Sequence, residues 1–151
     1  EKNFFFNEGH CPAHSQISAE DVKNVLSLHP EAKVLAHPEC PPEVLAVADY
    51  VGSTSGIIAY AGESKEREFV ICTEAGIAFP LYLAAPEKRY YFTENIPVCA
   101  DMKKNTVEKA LCALETMENK IEMDERIRAG AEKALREMHR LAGQGEGNEK
   151  R

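Results

Sequence analysis

Short apolar runs constrain this chain most: Lys33–Ala36 (KVLA), Glu68–Cys72 (EFVIC) and Lys88–Phe92 (KRYYF) recur between stretches with helix signals. Each run has the length of a strand and is bounded by turn or helix signals. The aromatic run Lys2–Phe6 (KNFFF), closed by Asn7-Glu8-Gly9, reads as a further buried strand, and Tyr50-Val51 as a brief one. Between them lie helix-sized segments of about ten residues. Ser18 can cap the first, with Asp21 in its first turn and Val22, Val25 and Leu26 on one face, and Pro30 stops it. Pro41-Pro42 opens the next over Glu43–Ala48, and helices are expected over Ser55–Gly62 and Gly76–Ala84. Strands and helices in strict alternation mean parallel βα units, an α/β fold with helices covering a parallel sheet.

The rhythm changes after Pro97. Thr106 caps a helix over Val107–Met117, with Val107, Ala110, Leu111 and Leu114 as its apolar face. Asp124 caps a second, reaching about Leu141, with Ile127, Ala131, Ala134, Leu135, Met138 and Leu141 in its stripe. Gly143–Arg151 is polar and glycine-rich, and disorder is expected there.

Charge and composition narrow the function. A net charge of −7 disfavours non-specific binding to nucleic acid or to an anionic membrane surface. The apolar stretches fall far short of the ~20 residues that span a bilayer, and the chain does not open on a secretory signal. It begins Glu1-Lys2-Asn3-Phe4, without Met and directly in an apolar run, which reads as a piece cut from a longer protein. The 5 cysteines form no CxxC pair, which disfavours zinc-ribbon and thioredoxin-type sites. An odd number of them implies reduced thiols and a cytoplasmic location.

Ligands of parallel α/β proteins bind at the carboxyl ends of strands. Several segments with chemical potential fall there. Gly9-His10-Cys11-Pro12-Ala13-His14 gathers a thiol and two imidazoles; it is either a metal or redox loop or a turn with a half-buried thiol. His37-Pro38-Glu39-Cys40-Pro41-Pro42 displays an acid/base pair on a proline-stiffened loop, although His37 and Glu39 could merely cap neighbours. Gly52-Ser53-Thr54-Ser55-Gly56 precedes a helix and can hold a phosphate or carboxylate, or act simply as an N-cap. Cys99-Ala100-Asp101-Met102-Lys103-Lys104 offers a thiol with two lysines behind it, or a solvated basic turn. Cys72-Thr73-Glu74 ends another strand at this edge, where packing is the better reading of the thiol. Cys112, beside Leu111 on an apolar helix face, reads as core.

Taken in order, GHCPAH, HPEAKVLAHPECPPEVLAVADYVGSTSGI, EFVICTEAGI and CADMKKNTVEKAL resemble the quinolinate synthase family, the A protein of de novo NAD biosynthesis, from Gly9 to about Leu141. HPEC followed by GSTS is the most specific pairing. The stretch corresponds to roughly the carboxyl-terminal half of such a protein. Ala100-Asp101 stands where the family often has Pro-Asn, and Ala78-Phe79-Pro80 is more apolar than the family leads one to expect.

The resemblance implies three-layer α/β domains around one [4Fe–4S] cluster, each supplying one cysteine. Cys11 and Cys99 look like the second and third ligands, the first lying upstream; Cys40 is not expected to bind iron. Residues 1–14 would then be the carboxyl edge of a preceding domain, 15–97 an α/β domain, 98–142 a cysteine loop with the C-terminal helices, and 143–151 a tail. The implied reaction condenses iminosuccinate (iminoaspartate) with dihydroxyacetone phosphate and releases quinolinate, phosphate and water. His37, Pro38 and Glu39 match the substrate-binding HPE of the family, with His37 and Glu39 as acid/base groups. Ser53 and Thr54 match its anion-binding loop. A functional link to L-aspartate oxidase follows from the imine substrate. Two other classes stay open: a non-catalytic α/β binding or subunit domain, and a zinc- or thiol-dependent hydrolase built on Cys11 and His14.

Overall fold

The computed structural model describes residues 9–145, with the side chains of 143–145 excepted. The strand expected over Lys2–Phe6 lies outside the described residues, as does the tail beyond 145. Two compact units divide the chain, Glu1–Lys104 and Asn105–Arg151.

In the first unit the elements alternate as α1 (Ala19–Leu28), β1 (Lys33–Ala36), α2 (Pro42–Leu45), β2 (Tyr50–Val51), α3 (Thr54–Glu63), β3 (Glu68–Cys72), α4 (Ala78–Ala84) and β4 (Arg89–Phe92). The four strands form one sheet in the order β2-β1-β3-β4. Every pairing is parallel, and the register sets Leu35 beside Ile71 and Ala36 beside Cys72.

Side chains alternate across a strand, so each strand feeds both faces of the sheet. Val34, Ala36, Val70 and Cys72 point to one side and pack with Val22 of α1 and Val44 of α2. Leu35, Phe69 and Ile71 point to the other and pack with Ile57 and Ala61 of α3 and Leu81 of α4. The result is a helix layer, a parallel sheet and a second helix layer. Both faces of β1 and β3 are buried, which is why their sequences carry no polar alternation.

Local signals act as expected. Ser18 accepts the Asp21 N–H at 3.1 Å and donates its hydroxyl to the Asp21 carboxylate at 2.7 Å, closing the start of α1. Helix α2 is shorter than the expected Glu43–Ala48. The N–H groups of Val47 and Ala48 bond three residues back, to Val44 at 3.2 Å and Leu45 at 3.3 Å, so the last turn tightens out of α geometry. The expected helix over Gly76–Ala84 is split for a similar reason. Ala75–Ile77 forms a 3-10 turn, capped by the Glu74 side chain, before α4 begins at Ala78.

The strand order places a switch point between β1 and β3. From β1 the chain runs outward to β2, then crosses to β3 on the opposite side of β1. Loops leaving the carboxyl ends of β1 and β3 therefore part in opposite directions, and a crevice opens between them.

The second unit holds α5 (Val107–Thr116) and α6 (Glu125–Gly145). Thr106 accepts the Lys109 N–H at 3.2 Å and Asp124 the Arg126 N–H at 2.9 Å, so both caps form. Residues 143–145 continue α6 and do not open a tail. Cys112 is exposed and not core: its helical stripe is real, but none of the described residues of this unit is buried. Among the described residues no helix is long and apolar enough to cross a membrane.

Candidate functional site

Three loops meet at the crevice. The first, before α1, makes one tight turn: the Ser15 N–H bonds the Cys11 carbonyl at 3.0 Å and the Ile17 N–H the His14 carbonyl at 3.1 Å. That turn sets the Cys11 and His14 side chains together, with Cys11 half-buried and His14 buried. The second follows β1 and carries His37, Pro38 and Glu39; the His37 N–H donates to the Cys72 carbonyl of the neighbouring strand at 3.1 Å. The third follows β3 and begins Thr73-Glu74, both buried.

The side chains converge on His14. Its Nδ1 lies 3.1 Å from Cys11 Sγ and 3.3 Å from Glu39 Oε2, and its Nε2 lies 2.9 Å from Thr73 Oγ1. The His37 ring stacks on it with centroids 4.6 Å apart and planes 16° from parallel. Burial lowers the pKa of His14, and the neighbouring His37 lowers it further, against the raising effect of Glu39 and Glu74. The ring is therefore neutral over most of the physiological range. Both groups at Nδ1 are acceptors when ionised, which assigns the proton to Nδ1 and makes Nε2 the acceptor of the Thr73 hydroxyl. His37 Nδ1 faces the Glu39 N–H at 3.3 Å and Glu39 Oε2 at 3.5 Å, which leaves its Nε2 free to meet a ligand.

His14, His37, Glu39, Thr54, Glu74 and Met102 are among the residues lining a cavity of about 290 Å³. Gly9, His10, Cys11 and Glu39 line an adjoining opening of about 540 Å³. Glu39 thus borders both, and its carboxylate is exposed to them. Ligand atoms of Cys11, His14 and Glu39 all lie within 4.8 Å of one another, a spacing that could hold a metal ion.

The other expected residues divide. Thr54, the first residue of α3, lines the cavity. Ser53 accepts the Gly56 N–H at 3.2 Å as N-cap of α3, so its hydroxyl is engaged in the helix start. Pro38 is exposed in its turn. Cys99 is half-buried, and its N–H donates to Glu74 Oε1 at 3.3 Å. Cys40 is buried and its thiol donates to the Cys72 carbonyl at 3.2 Å; burial pushes it up to about 11. Burial likewise pushes the Cys72 thiol up to about 12.

Glu74 had no signal as a site residue. Its Oε1 also pairs with Lys103 at 3.0 Å, and its Oε2 accepts the Gly76 N–H at 2.6 Å. Burial raises its pKa, but the Lys103 ammonium and the Gly76 and Cys99 N–H groups outweigh that, and the net displacement is downward. His14 carries no individual role in the sequence beyond being one of two imidazoles in the Cys11 segment and a partner for Cys11 in a hydrolase. The signal that could have raised it is the spacing Cys11-x-x-His14, one tight turn.

Fold and site define a parallel α/β unit whose polar crevice, of small-molecule size, gathers a thiol, two imidazoles and carboxylates at the switch point of its sheet. The chain belongs to the family described as Quinolinate synthetase A protein, whose family model matches residues 1–140. It is 47% identical over 131 residues to a quinolinate synthase of Methanosarcina barkeri, covering 87% of this chain and 43% of that protein. It is 46% identical over 138 residues to the quinolinate synthase of Caldicellulosiruptor bescii, covering 91% and 46% respectively. For that of Clostridioides difficile the figures are 42% over 142 residues, 94% and 47%. The chain therefore spans about half the length of the curated relatives it matches.

Proposed function

We propose that this chain is the carboxyl-terminal half of a quinolinate synthase acting in the cytoplasm. The reaction condenses iminosuccinate with dihydroxyacetone phosphate and yields quinolinate, phosphate and water. The observation that carries the reading is the convergence of His37 and Glu39, from the loop after β1, and Thr54, from the start of α3, on one cavity beside Cys11. The missing half would supply the first cysteine ligand and the other side of the substrate site. On this reading residues 1–14 are the edge of that preceding domain. The imine would come from an aspartate-oxidising enzyme such as L-aspartate oxidase, and neither nucleic acid nor membrane is a partner.

A [4Fe–4S] cluster would supply Lewis acidity to a bound oxygen, helping water to leave. The thiols present fit such a group. Cys11 and Cys99 are half-exposed in loops, whereas Cys40 and Cys72 are buried with thiols too basic to ionise near neutrality. The residues of this chain do the rest. Glu39 takes and returns protons during imine chemistry and dehydration, with His14 and His37 within 3.5 Å of its carboxylate. His37 Nε2 meets a substrate oxygen. Thr54, at the N-terminus of α3, receives a carboxylate or phosphate.

The decisive experiment uses full-length protein purified without oxygen. Iron and sulfide should be present, and quinolinate should form from the two substrates. Glu39→Gln, which keeps shape and cluster, should lower turnover by roughly 10²–10⁴. Full turnover with an intact cluster would remove Glu39 from the mechanism. The three donor atoms of Cys11, His14 and Glu39 favour a second reading, a zinc hydrolase. Zinc in place of iron would decide for it, and protein free of metal would decide for a scaffold domain.

A further inference from the structure

Two cysteine loops flank the crevice, and neither has a regular hydrogen-bond ladder to hold it. The loop before α1 has one tight turn. The segment after β4 is irregular from Thr93 to the short 3-10 turn at Met102–Lys104. Loops of this kind keep one conformation only when side chains of a rigid element tie them down. The rigid element here is β3, one of the two strands paired on both sides in the middle of the sheet.

We propose that Thr73 and Glu74, consecutive residues at the carboxyl end of β3, are positioning residues that set these loops independently: Thr73 holds the Cys11 loop through His14, and Glu74 holds the Cys99 loop directly. They follow β3 directly, at the bend where the third loop begins, and both line the cavity, so one dipeptide can address two loops. Thr73 is 3% exposed and its Oγ1 lies 2.9 Å from His14 Nε2. Donation of its hydroxyl there keeps the proton on Nδ1, the atom 3.1 Å from the Cys11 sulfur. A histidine tautomer fixed on its far side is how outer residues orient metal ligands and tune sulfur donors.

Glu74 works on the other loop with both oxygens. Oε1 accepts the Cys99 N–H at 3.3 Å and pairs with Lys103 at 3.0 Å. Oε2 accepts the Gly76 N–H at 2.6 Å. The Ala75 N–H adds a backbone tie to the Pro97 carbonyl at 2.9 Å. Gly76 leaves the space this requires: a Cβ there would stand 2.6 Å from Glu74 Oε2 and 3.4 Å from Lys103 Nζ. The Glu74 side chain is 9% exposed, so water has little access to its partners.

The consequence for a cluster rests on the reading that Cys11 and Cys99 ligate it; the positioning does not, and the test keeps the two apart. Full-length protein stripped of metal is compared as wild type, Thr73→Val, Thr73→Ser, Glu74→Ala and Gly76→Ala. Hydrogen exchange of residues 10–16 and 97–104 and the alkylation rates of Cys11 and Cys99 are followed by mass spectrometry. Thr73→Val should accelerate the Cys11 loop roughly tenfold and leave the Cys99 loop unchanged, and Thr73→Ser should restore it. Glu74→Ala and Gly76→Ala should do the reverse. After anaerobic reconstitution, each accelerated variant should lose iron to a chelator faster. If both loops respond alike to each substitution, or neither responds, the proposal is overturned. If the loop-selective pattern is found but Cys11→Ser and Cys99→Ser both keep full iron, the positioning stands and the ligand reading falls.

Discussion

Cysteine side chains show how far residue type alone carries an argument. Cys40 and Cys72 are buried and basic, so they behave as small hydrophobes. Cys11 and Cys99 are half-exposed, and Cys112 is exposed. Native metal-free protein treated with iodoacetamide near pH 8 should therefore be modified at Cys11, Cys99 and Cys112, with Cys40 and Cys72 labelled only after denaturation; mass spectrometry of the peptides checks this. Rapid native labelling of Cys72 would contradict the packing of β3. Thr54→Ala should weaken substrate binding by about 0.5–3 kcal/mol, the worth of one hydrogen bond to a charged group, read from KM in full-length enzyme. At this scale the sequence was legible where chemistry is local. His37-Pro38-Glu39 announces itself within three residues. Glu74 does not, because its partners Cys99 and Lys103 are joined to it only by tertiary structure. Ser53 and Thr54 look equivalent as text; the cap geometry of α3 separates them by engaging Ser53.

Elements were more legible than sites, because both faces of a parallel strand obey one rule. The runs over Lys33–Ala36 and Glu68–Cys72 fall on β1 and β3 residue for residue. What the pattern missed were tightened turns, one after α2, where backbone bonds close three residues back, and one before α4, where the Glu74 side chain caps a 3-10 turn. Phe69 is fully buried between the sheet and α3 and α4. Phe69→Ala should destabilise the first unit by about 3–5 kcal/mol in denaturant unfolding. Tyr90 of β4 gives a pH signature. Its hydroxyl donates to the Leu81 and Ala85 carbonyls, at 3.3 and 3.2 Å, and burial first, then the charge on Glu87, raises its pKa above the ordinary 10.0. A raised pKa means that the stabilisation is complete below pH 10 and is lost as the pH climbs through the folded value. Tyr90→Phe should flatten that alkaline part of the stability profile, as followed by thermal unfolding from pH 8 to 11.

At the scale of the molecule, two units carry different kinds of information. The first has a core on each side of its sheet. The second has capped helices with legible apolar stripes and no buried residue among those described. Periodicity identified the stripe that carries Cys112, but a stripe states only which face is apolar, and burial needs a second surface. Residues 117–124 join α5 to α6 without regular structure, are exposed throughout, and include Met117 and Asn119 in left-handed conformations at φ 55° and 60°. Limited proteolysis should cut there before it cuts within β1–β4. First cleavage inside the sheet would contradict the ranking of the two regions.

The crossing of the chain from β2 to β3 also has a consequence in time. His14 emerges from the ribosome long before Thr73, the residue that fixes its ring, and Glu74 long before Cys99 and Lys103, the loop it holds. At ~5–20 residues per second, the first thiol loop waits on the order of ten seconds for its anchor. During that interval Cys11 is a loose thiol on a nascent chain. On the proposed cluster reading, loading would follow synthesis past Lys104, when both thiol loops have their anchors in the chain.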